Sequence, residues 1–223
     1  MALKRKIESQ FVDWKNNPNR LPLVVKGVRQ CGKTFSVLEF ARKHYEHVVY
    51  LNFFENPGFG SAFDDALNVD RIVMMISALY GRPVQFVPGR TVIILDEIQQ
   101  CPQARTALKF FKTDGRYDVI ATGSLLGVGG YGEDAASIPV GYETTLTMRP
   151  LDFEEFLWAS NVPESAIGLL HESLASEKPV PQPLHGRMED LLLEYAVVGG
   201  MPAVVETFMR THNISLVIAQ QRD

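Results

Sequence analysis

Short apolar runs alternate along the chain with stretches in which apolar residues recur at every third or fourth position. The runs have the length of β-strands, and the stretches between them have the spacing of amphipathic helices. A chain in which strands and helices alternate is expected to form a parallel sheet covered by helices. The predicted strands are Leu21–Val25, His47–Phe53, Thr91–Leu95, Asp118–Ala121 and Val140–Met148.

Helix start and stop signals separate these strands. Asn68 is a suitable N-cap for a helix over Val69–Tyr80, and Gly81 follows the end of that helix. Asp152 lies near the cap of an amphipathic helix that follows Pro150. The other helices predicted in this part of the chain are Leu3–Trp14, Phe35–Ala41 and Gln103–Lys112.

Beyond Asn161 the sequence contains helical patterns and no convincing strand. The predicted helices are Glu164–Ser176, Met188–Val198 and Pro202–Thr211, with a proline-rich linker over Lys178–Pro183. We predict an N-terminal helix over residues 1–20, an α/β core over 21–160 and a small helical domain over 161–223. Because the helical pattern still runs at the last residues, we expect this domain to be truncated and the chain to be part of a longer protein.

The composition fits a folded α/β domain, and the sequence also indicates in which cellular compartment the protein is expected. The 223 residues are 46% hydrophobic and carry a net charge of −4, so the charge gives no basic footprint for nucleic acid. The basic stretch Met1–Lys6 is not followed by an apolar run that could form a signal peptide or a membrane span. The two cysteines form no disulfide framework or metal-ligand pattern. We expect a cytoplasmic protein with no membrane partner.

The most specific motif lies between the first strand and the helix that follows it. Gly27–Thr34 has the spacing G-x-x-x-x-G-K-[ST] of a phosphate-binding loop. Its two glycines allow backbone N–H groups to approach phosphate oxygens, Lys33 reaches the β- and γ-phosphates, and Thr34 offers a hydroxyl to Mg²⁺. A glycine turn that binds nothing is the weaker alternative in this strand–loop–helix setting. We predict nucleotide contacts from Gly27, Val28, Arg29, Gln30, Cys31, Gly32, Lys33, Thr34 and Phe35.

Two acids, Asp96 and Glu97, follow directly on the third apolar strand. Carboxylates next to a core need a cation or hydrogen bonds, because their burial without partners is costly. In a nucleotide-binding sheet Asp96 would help to hold Mg²⁺, and Glu97 would orient and deprotonate the attacking water. The alternative is that the pair caps the helix that begins near Pro102.

A polar cluster also ends the fourth strand. Ser124 or Thr122 could contact the γ-phosphate or the water, since ligands of open α/β sheets bind at the carboxyl ends of the strands. We take Ser124 as the candidate catalytic sensor, and a simple turn at the end of the strand is the alternative. The glycine-dense segment Leu126–Gly132 has no helix-opening signal after it and indicates a loop rather than a second nucleotide site.

These motifs resemble those of prokaryotic AAA-type ATPases that carry a further C-terminal domain of unknown function. The resemblance implies a three-layer αβα P-loop NTPase fold with a mostly parallel five-stranded sheet, followed by a small helical lid. It also implies that the strand ending at Ser124 lies between the phosphate-loop strand and the acid-bearing strand, and that a C-terminal portion is missing. The matching stretches are Gly27–Thr34, Leu95–Gln99 with Pro102 behind, Thr122–Ser124, Pro150–Phe156 and Gly199–Pro202.

The chain departs from the family pattern at one place. Such proteins often have Gly-Lys or Gly-Arg where this chain has Gly141-Tyr142, so a basic residue that could act on a nucleotide in trans is absent there. Arg149 is the nearest substitute for such an arginine finger.

We therefore expect binding of ATP with Mg²⁺ and hydrolysis to ADP and phosphate, driving a conformational change. The main alternative is a nucleotide-gated signalling or interaction switch with little turnover. A small-molecule kinase is a further alternative, because the loop alone fits it. A GTPase is less favoured, since Phe111–Asp114 only half resembles N-K-x-D and precedes its strand. The sequence leaves open self-association and any nucleic-acid or protein client.

Overall fold

The computed structural model describes residues 3–64, 67–124 and 141–222. Short 3-10 helices occupy Pro57–Phe63 and Ile98–Gln100. The strands are β1 (Leu23–Gly27), β2 (His47–Asn52), β3 (Thr91–Asp96), β4 (Asp118–Ser124) and β5 (Thr144–Thr147). The helices are α1 (Ile7–Asn16), α2 (Lys33–His44), α3 (Val69–Leu79), α4 (Pro102–Asp114), α5 (Phe153–Ala159), α6 (Glu164–Ala175), α7 (Gln182–Val198), α8 (Pro202–Thr211) and α9 (Ile214–Arg222).

The five strands form one parallel sheet in the order β2-β3-β4-β1-β5. The strand that ends at Ser124 therefore lies between the strand before the phosphate-binding motif and the strand before the two acids. This strand order is the one that the family resemblance implies. The predicted α/β fold class is confirmed as well. In a parallel sheet all carboxyl ends lie along one edge, so Gly27, Asp96 and Ser124 end their strands on the same side.

Burial on both faces explains why the sheet strands read as continuous apolar runs. Every residue of β3 is buried. On one face Ile93 and Leu95 belong to a core that includes Ile72 of α3 and Leu108 of α4. Ile94, which points to the opposite face, is also completely buried. Helices thus cover the sheet as the alternating pattern predicts.

Several element boundaries differ from the sequence predictions. Strand β1 extends past the apolar run because Lys26 and Gly27 continue to pair with Gly123 and Ser124 of β4. Helix α1 begins at Ile7 rather than Leu3. The predicted linker before the last helices is wrong at its end, since Pro183 lies in the first turn of α7, where a missing N–H is tolerated. The glycine-dense segment Leu126–Gly132 lies outside the described residues.

The chain forms two compact units that are not continuous in sequence. One contains Met1–Glu8, Gln30–Gly32 and Arg149–Asp223, and the other contains Ser9–Arg29 and Lys33–Met148. The first has its own helical core, in which Phe156, Leu191 and Val205 are almost completely buried. The second contains the parallel sheet. The domain boundaries after residues 20 and 160 stay predictions.

Candidate functional site

The phosphate-binding motif connects β1 directly to α2. Gly27 is the last residue of β1, and Lys33 is the first residue of α2. Gln30 and Gly32 have φ values of 63° and 93°, in the left-handed region that glycine adopts most readily. These turns bring the loop back to the start of the helix. The N-terminus of α2, with its unpaired N–H groups and positive dipole end, therefore faces the loop, which is the usual arrangement for anion binding.

Lys33 is buried, and its ammonium group bonds to the loop that precedes it. Its Nζ donates hydrogen bonds to the carbonyls of Gly27, at 3.1 Å, and Val28, at 2.7 Å. Only 6% of the residue is exposed. The positive charge is thus held against the loop backbone, where a phosphate bound by the loop N–H groups would meet it.

Thr34 and Asp96 are in direct contact. The Thr34 hydroxyl lies 3.0 Å from Oδ1 and 3.1 Å from Oδ2 of Asp96, which is buried at the end of β3. A hydroxyl and a carboxylate are hard oxygen donors, and Mg²⁺ commonly takes one or two such protein ligands and fills its other positions with water and phosphate oxygens. The donor set at this point therefore fits Mg²⁺.

Two residues of β2, which sequence analysis missed, also bind Asp96. The Tyr50 hydroxyl donates to Oδ2 at 2.7 Å, and Asn52 Nδ2 donates to the same oxygen at 3.3 Å. Burial raises the pKa of Tyr50 well above its usual range, so the phenol stays protonated and remains a donor. The signal was present in the sequence, since Tyr50 and Asn52 are polar residues two apart near the end of a strand. Their relevance depends on the register that pairs Asn52 with Asp96.

Glu97 has a left-handed backbone and a side-chain partner. Its φ is 54° and its ψ is 47°, which is unfavourable for a residue other than glycine and is often found at functional sites. Gln99 donates from Nε2 to Oε2 of Glu97 and, at 3.4 Å, to the hydroxyl of Ser124. Gln99 thus connects the predicted base to the predicted sensor. Gln99 lies in a stretch that matches the family motifs, but its residue type alone predicts no role for it.

The two sensor candidates have different partners. Thr122 donates its hydroxyl to Asp96, whereas Ser124 accepts from Gln99. Neither acid caps the helix near Pro102, because α4 is preceded by Cys101 and has no side-chain cap hydrogen bond. The geometry therefore does not support the helix-capping alternative for Asp96 and Glu97.

The residues of this site lie in a part of the chain that matches a known family. A family described as "AAA domain" matches residues 19–157 of the chain. The chain belongs to this family. None of the curated proteins matches the chain. The family match confirms the predicted AAA-type resemblance, while the further C-terminal domain and the prokaryotic origin stay predictions.

Solved structures similar to this AAA domain include the Walker-type ATPase PABY2304 of Pyrococcus abyssi, at 14% identity over 98% of this chain and 71% of that chain, with a TM-score of 0.49. Drosophila ORC bound to DNA has 14% identity over 91% of this chain and 58% of that chain, with a TM-score of 0.51. The ORC1 protein of Aeropyrum pernix in complex with DNA has 15% identity over 70% and 48%, with a TM-score of 0.45. At such identities the likeness concerns the fold alone.

The other residues predicted to contact the nucleotide or to act as an arginine finger differ in exposure. Val28 is 50% exposed and Phe35 is 53% exposed. Arg29 and Arg149 are also exposed, and Cys31 is completely buried.

Within the described residues, no helix combines the length and the apolar content needed to cross a membrane.

Proposed function

We propose that this AAA domain binds ATP with Mg²⁺ and hydrolyses it to ADP and phosphate, and that the hydrolysis drives a conformational change. The observation that carries the proposal is the contact of Thr34 with Asp96. It lies beside the phosphate-binding loop, in which the Lys33 ammonium donates a hydrogen bond to the carbonyl of Gly27. Thr34 and Asp96 would hold the ion. The Mg²⁺ ion would supply positive charge to the phosphate oxygens.

Residues of the chain itself would bind the phosphates, accept the proton and sense the γ-phosphate. The loop N–H groups and Lys33 bind and orient the phosphates. Glu97 orients a water molecule and accepts its proton as the water oxygen bonds to the γ-phosphorus and the bond to the bridging oxygen of ADP breaks. We assign Ser124, which Gln99 links to Glu97, the role of sensing the γ-phosphate or the water. The position of these residues at the carboxyl edge of the sheet, where ligands of open α/β sheets bind, supports these roles.

One observation favours the alternative of a nucleotide-gated switch with little turnover. The Glu97 carboxylate is engaged by the Gln99 amide, so one of its oxygens is already occupied by a side chain of the same chain rather than by a water molecule. In the GTPase alternative Asp114 would read the base, yet this carboxylate pairs with Arg116 at 2.7 Å. An Asp114 carboxylate that is engaged in this ion pair is poorly suited to recognise guanine.

Calorimetric titration with ATP and ADP, combined with steady-state phosphate release, tests the proposal. We expect the unmodified chain to bind both nucleotides, Lys33→Ala to lose binding, and Glu97→Gln to bind ATP while hydrolysing it ~10²-fold more slowly. Absence of nucleotide binding in the unmodified chain would contradict the proposal. Tight binding with near-zero turnover, unaltered by Glu97→Gln, would instead support the switch.

A further inference from the structure

Arg5 places a buried guanidinium group against the backbone of the phosphate-binding loop. Its Nη1 donates to the carbonyl of Cys31 at 3.0 Å, and its Nη2 donates to the carbonyl of Arg149 at 2.6 Å. Its Nε donates to Oε1 of Glu155 at 3.2 Å. Arg5 is only 7% exposed. All three acceptors lie in the compact unit that contains Arg5 itself.

The bond to Cys31 has a consequence for the next residue. The carbonyl of residue 31 and the N–H of residue 32 belong to one planar trans peptide group, in which they point in nearly opposite directions. When Arg5 holds the Cys31 carbonyl, the Gly32 N–H is directed away from Arg5. A charged donor on the carbonyl also polarises the peptide group and strengthens its N–H as a donor.

Arg5 is itself held in place by a group that the local sequence fixes. Glu155 and the N-cap residue Asp152 form a capping box at the start of α5, in which the Glu155 carboxylate accepts from the Asp152 N–H at 3.0 Å. The same carboxylate accepts from the Lys6 N–H at 2.7 Å. The side chains of Arg5 and Glu155 are each only 6% exposed. The acceptor of Arg5 is therefore oriented before Arg5 binds to it.

We propose that Arg5 is a positioning residue for the phosphate site, which it serves by fixing the peptide group between Cys31 and Gly32 with its N–H turned toward bound phosphate. The inference rests on the proposed nucleotide binding and deepens it. A planar guanidinium can satisfy three acceptors in different directions, which the single ammonium of lysine does less well. In the sequence Arg5 is marked only as part of a basic N-terminal stretch.

The test is the affinity of the full chain for ADP, measured by calorimetry in a charge-matched double variant. Arg5→Met combined with Glu155→Gln removes both buried charges and keeps a side chain at residue 155 that can complete the capping box. We expect ADP affinity to fall roughly tenfold or more, as for loss of a hydrogen bond to a charged ligand. The fold of the variant is checked by its thermal unfolding, so that only folded protein is compared.

The matched control is the ion pair of Arg20 and Asp118, whose two hydrogen bonds measure 2.7 and 3.0 Å. Asp118 is the first residue of β4, at the amino edge of the sheet and thus at the opposite end from the loop. Arg20→Met combined with Asp118→Asn is expected to leave ADP affinity unchanged, although it also removes an ion pair. A merely structural role of Arg5 would make the two double variants alike.

Should the Arg5 double variant fail to fold, Arg5→Lys keeps a cation beside Glu155 and is expected to show a smaller, measurable loss of ADP affinity. Unchanged affinity in a folded Arg5 variant, together with loss of binding in Lys33→Ala, would overturn this inference and leave the proposed function standing. Absence of ADP binding in the unmodified chain would overturn both.

Discussion

The hydroxyl of Tyr50 lies 2.7 Å from Oδ2 of Asp96, and joins β2 to the acid at the end of β3. Asp96 also accepts hydrogen bonds from Thr34, Thr122 and Asn52. A buried carboxylate with several donors has a fixed orientation. We infer that Tyr50 orients Asp96 for the metal and need not contact the nucleotide.

Tyr50→Phe is expected to weaken the response to Mg²⁺. The variant keeps the ring and loses one hydrogen bond, whose net contribution of about 1 kcal/mol corresponds to a roughly fivefold change in an equilibrium constant. We expect the Mg²⁺ concentration that half-saturates ATP hydrolysis to rise by about that factor, with little change in ATP affinity at saturating Mg²⁺. The measurement is phosphate release during a Mg²⁺ titration.

Tyr45 provides the control for this experiment. Its hydroxyl donates to Asp118 at 2.7 Å, the same distance as in the Tyr50 contact, but at the opposite edge of the sheet. Tyr45→Phe should therefore leave the Mg²⁺ titration unchanged. Equal Mg²⁺ responses in both variants and in the unmodified chain would show that Asp96 does not depend on Tyr50.

The sequence was sufficient for features that local chemistry determines. The phosphate-binding motif, the Asn68 cap of α3 and the Asp152 cap of α5 each depend on residues within a few positions of one another, and Asn68 and Asp152 indeed cap their helices. The strand order could be stated only through the family resemblance. Strand ends were less accurate, because backbone pairing continues beyond the apolar run that marks a strand.

The contacts that sequence analysis missed join residues far apart in the chain. Arg5 meets Glu155 across 150 positions, and Tyr50 meets Asp96 across 46. No local pattern encodes such a pair, since each depends on strand register or on how distant segments fold together. Gln99 was missed for a different reason: its motif was recognised, but the sequence does not indicate that its amide reaches Glu97 and Ser124.

Gln99→Ala is expected to lower the rate of hydrolysis without weakening ATP binding. Its amide bonds to Glu97 and lies 3.4 Å from the Ser124 hydroxyl, so its loss would leave the predicted base less well oriented. We expect kcat to fall roughly tenfold, since a positioned base contributes ~10² or more in total. Single-turnover and steady-state phosphate release measure the effect.

The neighbouring Gln100 is exposed and serves as the control, because Gln100→Ala makes the same change one position later. It should not alter kcat. A rise in kcat for Gln99→Ala would mean that Gln99 restrains Glu97 and would favour the switch hypothesis.

Gly200→Ala is expected to destabilise the helical unit. A Cβ at Gly200 would lie 2.1 Å from the carbonyl oxygen of Leu151 and 3.0 Å from its nitrogen. The two backbones are joined by the Leu151 N–H, which donates to the Gly200 carbonyl at 2.7 Å. The clash is relieved only if the two backbones move apart, which would lengthen this bond. We expect the free energy of unfolding to fall by about 2 kcal/mol, as for other overpacked sites.

Gly168 of α6 is the matched control, because a Cβ there would meet nothing within 4 Å. Gly168→Ala should raise the free energy of unfolding by up to about 1 kcal/mol, since alanine favours the helix. Denaturant titration of both variants measures the difference. Equal stability of Gly200→Ala and the unmodified chain would show that the close approach to Leu151 can relax.

Hydrolysis is expected to need a cation beyond Lys33. The side chains described above as bonding to Asp96 and Glu97 are all neutral: Thr34, Tyr50, Asn52, Gln99 and Thr122. None of these described side chains would balance the charge that develops on the γ-phosphate oxygens, as Lys33 and the metal would. An arginine supplied by another chain accelerates related phosphoryl transfers by roughly 10³ to 10⁵. We expect slow turnover at low protein concentration and a specific activity that rises with concentration.

Arg149 is the candidate for that cation, because its side chain is exposed. Arg149→Ala should bind ATP normally and lose the concentration-dependent rise, whereas Arg187→Ala, which changes an exposed arginine of α7, should keep it. Mixing Arg149→Ala with Lys33→Ala is the decisive measurement, since the first variant can still bind ATP and the second can still offer Arg149. We expect the mixture to hydrolyse ATP faster than either variant alone. A specific activity independent of concentration, with no gain on mixing, would show that one chain already holds every group that the reaction needs.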